Sequence, residues 1–305
     1  MKLDRRTVLK TTAAAFGAGA VGWMPSVALA MPFTRAIPST GEAIPLVGLG
    51  SWITFNVGNN QKLLDSCADV MAAFFESGGR LIDSSPMYGS AQATIAYALK
   101  KLAAADQVFS ADKVWTSSAA DGVLQIEISR SFWGVPKFNL LQVHNLVAWE
   151  EHLETLQAMK AAGELRYIGV TSSHGRRHGH LEKILASQPI DFVQLTYNIS
   201  DRDVEQRLLP LAMERGIAVI VNRPFQRGYL LEQFEGKSIP AWAEEIGMAS
   251  WAQFLLKYVI SHPAVTCAIP ATSKVEHVRE NMASASGQLP DAAMRKRMSD
   301  YAAQL

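Results

Sequence analysis

Cysteine is scarce: Cys67 and Cys267 are the only two in 305 residues, which excludes a disulfide framework and any CxxC metal spacing. Each sits in an apolar setting, so two buried thiols are expected rather than a bridge. The Gly-x-Gly-x-x-Gly loop of dinucleotide-binding open sheets is missing as well. Gly48-Leu49-Gly50 runs straight into Ser51-Trp52-Ile53. Neither sign of charge dominates, with 29 Lys and Arg against 28 Asp and Glu and a net charge of +1. That balance gives no footprint for nucleic acid or an acidic membrane surface. No low-complexity linker divides residues 31–305. A solid membrane-spanning run is absent too, because the uncharged stretch Thr11–Ala30 is broken by Gly17, Gly19, Gly22 and Pro25.

The same N-terminal stretch has the order of an export signal. Asp4-Arg5-Arg6-Thr7-Val8-Leu9-Lys10 precedes the uncharged segment, which closes on the small-x-small pattern Ala28-Leu29-Ala30. It resembles a bacterial twin-arginine signal peptide, and residues 1–30 are assigned to one. The resemblance implies passage through the twin-arginine translocase, a periplasmic protein, and a ligand acquired before export. The leader carries Lys2, Arg5, Arg6 and Lys10 against Asp4, a net of +3, so residues 31–305 are left near −2.

Along residues 31–305, short apolar runs alternate with segments of helical period, the pattern of βα units around a parallel sheet. Strands are expected at 46–50, 80–83, 114–117, 140–144, 167–171, 192–195, 218–222 and 265–269. Helices are expected at 61–77, 90–104, 122–132, 151–161, 180–187, 204–214, 248–260 and 274–285. Eight of each predict a single (β/α)8 TIM barrel over 31–305. An open doubly wound sheet is the alternative, and residues 33–45 are expected to form a hairpin or plug over one barrel end.

Barrel enzymes work at the C-terminal ends of their strands. There the sequence places Asp83 and Tyr88, then Thr116-Ser117-Ser118, His144, Thr171-Ser172, Gln194, Asn222-Arg223, and finally Ser273-Lys274. Each has a plainer reading: Asp83 as a helix cap, His144 as a core histidine, Tyr88 as an amphipathic cover over the mouth. Convergence of Asp, Tyr and His on one face favours chemistry.

From about residue 45 to 285 the chain resembles the aldo-keto reductase superfamily. The resemblance rests on Leu81-Ile82-Asp83-Ser84-Ser85-Pro86-Met87-Tyr88-Gly89, on Leu141-Gln142-Val143-His144-Asn145, and on Gly163-Glu164-Leu165-Arg166-Tyr167-Ile168-Gly169-Val170-Thr171. It continues in Ile269-Pro270-Ala271-Thr272-Ser273-Lys274. The resemblance implies reduction of a small-molecule carbonyl with NADP(H). Tyr88 would be the proton donor, His144 would orient the carbonyl, and Asp83 would hold a lysine. It also implies nicotinamide contacts from Thr171, Ser172 and Gln194, with Asn222 in place of a stacking aromatic and Arg223 near the pyrophosphate. Ser273, Lys274 and Arg279 would take the 2′-phosphate, with Asn281 near the adenine. No metal site is expected.

The family's lysine belongs to a Thr-Lys pair ending the third strand, where this chain reads Thr116-Ser117. Ser117 is therefore expected in the lysine's place. Lys113, four residues upstream, is expected to be displaced by ~13 Å at ~3.3 Å per residue. A missing cation would leave Tyr88 at its ordinary acidity and slow turnover by roughly 10- to 1,000-fold. Two further functions follow from that gap: an inactive cofactor- or ligand-binding barrel, or a lyase or isomerase using Tyr88 and His144 as acid and base.

Overall fold

The computed structural model describes residues 31–305; the expected export signal at 1–30 lies outside the described residues. A short antiparallel hairpin comes first, β1 (Thr34–Ala36) and β2 (Ala43–Pro45). Eight parallel strands follow: β3 (Leu49–Gly50), β4 (Leu81–Asp83), β5 (Phe109–Val114), β6 (Leu140–Val143), β7 (Tyr167–Thr171), β8 (Phe192–Thr196), β9 (Ala218–Asn222) and β10 (Val265–Ala268). They pair in sequence order, and parallel bridges between Val47 and Ala268 and between Gly50 and Ala271 join first to last. The seam needs glycine, because a Cβ on Gly50 would stand 2.8 Å from the carbonyl oxygen of Ile269. The (β/α)8 barrel is the architecture expected, and the open-sheet alternative falls.

The helices are α1 (Gln61–Glu76), α2 (Ala91–Leu102), α3 (Ala119–Trp133), α4 (Trp149–Ala161), α5 (His178–Ser187) and α6 (Leu208–Arg215). After β9 come α7 (Tyr229–Gln233), α8 (Ala241–Glu244) and α9 (Trp251–Ile260); α10 (Val275–Ala283) and α11 (Ala292–Ala302) close the chain. Alternate strand residues feed two cores, as a twofold strand period requires. Leu81, Phe109, Ala111, Leu140, Tyr167 and Phe192 fill the barrel interior together with Ile37 and Ile44. Their partners of opposite parity pack against the helices. The hairpin plugs the end where the strands begin, and the Tyr167 hydroxyl lies 2.7 Å from both Thr40 and Glu42. Cys67 and Cys267 are both free and buried.

One strand departs from expectation. β5 spans Phe109–Val114, not 114–117. Asp112 and Lys113 interrupt its apolar run, so periodicity alone pushes the strand past them. Both are fully buried, Lys113 in an ion pair with Asp83 and Asp112 in hydrogen bonds from Gln92 and Trp133, which is how a central strand tolerates them.

Candidate active site

At the C-terminal ends of the strands lies a cavity of about 340 Å³, lined among others by Trp52, Asp83, Tyr88, His144 and Gln194. Its floor is set by strand parity. Phe109 and Ala111 point into the barrel, and Lys113 continues that face. Ala111 is paired with Asp83, so Lys113 stands two residues further along the neighbouring strand. Its Nζ donates to Asp83 Oδ2 at 2.5 Å and to the Ser84 carbonyl at 2.7 Å. The same Nζ sits 5.1 Å from the centre of the Tyr88 ring. Gln194 donates to the other oxygen of Asp83 at 2.8 Å, and Gln142 approaches it at 3.5 Å. Asp83 thus accepts from donors at both of its carboxylate oxygens.

These contacts overturn the expectation for Ser117. It is exposed, beyond the end of β5, and does not line the cavity. The Thr116 carbonyl is pinned by His152 Nε2 at 2.9 Å, while Ser118 caps α3 by accepting from the Asp121 amide. Thr116-Ser117-Ser118 therefore serves as a helix start. A cation, Lys113, stands beside Asp83 and Tyr88 where none was expected, because the strand ends earlier than the apolar pattern implies.

Burial opposes charge on Lys113, yet the carboxylate of Asp83 and the adjacent Tyr88 outweigh it and hold the ammonium above the ordinary lysine range. Burial pushes Tyr88 upward; Lys113 pulls against that rise and Asp83 adds to it. Tyr88 is accordingly a neutral phenol beside a permanent cation. Burial, and then Lys113, push His144 down to about 3, so its imidazole is neutral at working pH. The Tyr88 and His144 rings meet edge to face at 5.8 Å.

Of the other expected residues, Thr171, Gln194, Asn222 and Arg223 line this cavity. Ser172 is buried beside it, its hydroxyl donating to the His174 carbonyl at 2.9 Å. Asn222 is oriented by Thr196 at 2.7 Å and donates to the Ser172 carbonyl at 3.2 Å. Ser273 and Lys274, just before α10, and Arg279 and Asn281, within it, lie outside the cavity lining; the first three are exposed and Asn281 is buried. Arg279 there pairs with Glu76 at 3.2 Å, both side chains exposed. Phe55 lies in the sheet–helix core and Trp149 packs against it.

Pattern reading missed Arg227, whose guanidinium stacks 4.5 Å over Trp52 on the cavity wall. Among the described residues neither Arg223 nor Arg227 forms an ion pair. Two such guanidiniums fit a diphosphate, and the N-terminus of α10 with Lys274 fits a further phosphate. Among the described residues no group of three or more His, Cys, Asp or Glu could hold a metal ion, and no helix there is long and apolar enough to cross a membrane.

Behind Lys113 lies a second buried acid. Asp112 faces the helices and accepts from Gln92 Nε2 and Trp133 Nε1 at 2.7 Å each, and from the Lys113 amide at 2.8 Å. Burial, opposed by Lys113, pushes it up to about 7. The folded state then binds a proton that the unfolded chain releases near pH ~4. Stability from this group should decline as pH rises from ~4 to ~7. His144 works in the opposite sense, so the comparison must be with Asp112→Asn. In urea unfolding, the parent's free energy minus the variant's should fall across that window; a constant difference would show that Asp112 does not titrate there.

Residues 46–298 match the sequence model of the Aldo/keto reductase family. The aldo-keto reductase YhdN of Bacillus subtilis is 28% identical over 64% of this chain, which spans only 62% of that relative's length. The NADH-specific methylglyoxal reductase of Escherichia coli is 24% identical over 83% of this chain and 94% of its own. Among solved structures, an aldo/keto reductase from Klebsiella pneumoniae in complex with NADP and acetate superposes with a TM-score of 0.73 at 23% identity, covering 86% of this chain and 92% of that one. The thermostable aldo-keto reductase Tm1743 reaches the same TM-score at 26% identity, over 88% and 99%.

Proposed function

The chain belongs to the aldo/keto reductase family, and from that premise we propose that it is an NADP(H)-dependent reductase of small aldehydes and ketones, working through Asp83, Tyr88, Lys113 and His144. The observation that carries this reading is the fully buried Lys113–Asp83 pair beneath the Tyr88 ring. NADPH, when bound, supplies the hydride. Tyr88 gives its phenolic proton to the carbonyl oxygen, so that the C=O becomes an alcohol. Lys113 makes that transfer easier by stabilising the phenolate left behind, and Asp83 keeps Lys113 in place. His144, being neutral, offers the carbonyl oxygen a hydrogen bond without competing for the proton.

For the nucleotide, Arg223 and Arg227 would take the diphosphate, and Gln194 and Asn222 the nicotinamide amide. Lys274 at the start of α10, with Ser273 and Arg279, would take the 2′-phosphate, and Asn281 would stand near the adenine. A phosphate there competes with Glu76 for Arg279. The complex of the Klebsiella neighbour with NADP supports this choice of nucleotide, and the methylglyoxal reductase relative makes a small aldehyde the first substrate to try. The cation next to Tyr88 favours reduction over binding without turnover or lyase chemistry.

Export through the twin-arginine route to the periplasm is part of the same proposal, supported by Arg5-Arg6 and Ala28-Leu29-Ala30. One preparation tests both parts. The full chain, expressed in a bacterium with that translocase, should be recovered from the periplasmic fraction with a new N-terminus near Met31. It should consume NADPH when methylglyoxal is added. Recovery only from the cytoplasm counts against export, and nucleotide unconsumed across an aldehyde and ketone panel counts against reduction.

A further inference from the structure

Ser85 lies in the turn after β4, next to the Ser84 carbonyl that accepts from Lys113, and its side chain has a separate partner. Its Oγ lies 2.9 Å from His144 Nδ1, with both residues buried. The direction of that hydrogen bond follows from the hydroxyl's other contacts. Ser85 Oγ already accepts from the Met87 amide at 3.2 Å. Among the described residues His144 Nδ1 is the one acceptor in reach of its proton. Were Nδ1 to donate instead, the Ser85 hydroxyl would be a buried donor with nowhere to point, a costly arrangement. The low-cost assignment has Ser85 donating, Nδ1 accepting, and the imidazole proton on Nε2.

We propose that Ser85 is a positioning residue that holds His144 in its Nε2–H tautomer, so that the ring presents a donor to the cavity. The hydrogen bond of the ring among the described residues is the one at Nδ1, and the ring lines the cavity together with Tyr88. The neutrality of His144 makes the tautomer a defined property across the working pH range. A ring in the other tautomer would turn a lone pair toward the carbonyl oxygen and repel it. The catalytic consequence rests on the reductase reading; the tautomer itself does not.

Two readouts keep them apart. In the resting protein, nitrogen-15 NMR of the histidine rings should show His144 with a protonated Nε2 and a hydrogen-bonded, unprotonated Nδ1. Ser85→Ala, which only removes a hydroxyl, should weaken the Nδ1 signature and populate the Nδ1–H form. With nucleotide affinity unchanged, the variant's kcat for aldehyde reduction should fall roughly 2- to 10-fold, the loss of one net hydrogen bond. A proton on Nδ1 in the parent, or an unchanged tautomer in Ser85→Ala, overturns the proposal. A parent that reduces no carbonyl while showing the expected tautomer shift supports Ser85's role and sinks the reductase reading alone.

Discussion

Lys113→Met is expected to cut kcat/KM for aldehyde reduction by roughly 10- to 1,000-fold and to destabilise the fold by about 3–5 kcal/mol. The two effects have separate causes. Methionine keeps the length of the side chain but leaves the Asp83 carboxylate buried with Gln194 and Gln142 as its remaining donors. Removing one partner of a buried pair is far more costly than replacing both. The double variant Asp83→Asn, Lys113→Met should therefore regain much of the stability and none of the rate. Urea unfolding and steady-state kinetics on the two proteins decide this; a double variant as active as the parent would remove Lys113 from the chemistry. Ser117→Lys adds a cation at an exposed site outside the cavity, and should leave turnover as it was.

Tyr88→Phe should have the larger effect on rate and little on stability. Positioned acid–base groups contribute about 10²- to 10⁴-fold, and a loss of that order in kcat is expected. Tyr88 lines the cavity, so deleting its hydroxyl opens no void in the core. Nucleotide affinity should be unchanged, because the diphosphate and phosphate contacts proposed above lie on other loops. Fluorescence titration with NADPH alongside kinetics separates the two; full activity in Tyr88→Phe would assign the proton to another group.

Most of the barrel is legible in the sequence because strand and helix periods differ and the turns between them are marked. Asp83 and His144 are legible for the same reason, the one ending and the other directly following an apolar run that truly is a strand, and Tyr88 is carried in the loop after Asp83. Lys113 is hidden by the rule that finds the others. A pattern of apolar residues treats Asp112-Lys113 as an interruption, so the third strand slides onto Val114-Trp115 and Ser117 is expected where Lys113 stands. The corrective signal was present in parity. Phe109, Ala111 and Lys113 share one face, and only an inward lysine with a carboxylate on the next strand makes that face sensible. Ser85 and Asp112 are harder still, since their meaning lies in partners 59 residues away on β6's end, and 20 and 21 residues away on α2 and α3.

The claim at the centre is that Lys113, not a residue at position 117, completes the reducing site. Single-turnover mixing of the NADPH-loaded protein with methylglyoxal, comparing the parent with Lys113→Met, tests it most directly. Loss of the reduced-nicotinamide absorbance should be rapid in the parent and at least ~10-fold slower in a variant that still binds NADPH. Equal rates in the two proteins, or no consumption in the parent, would contradict it.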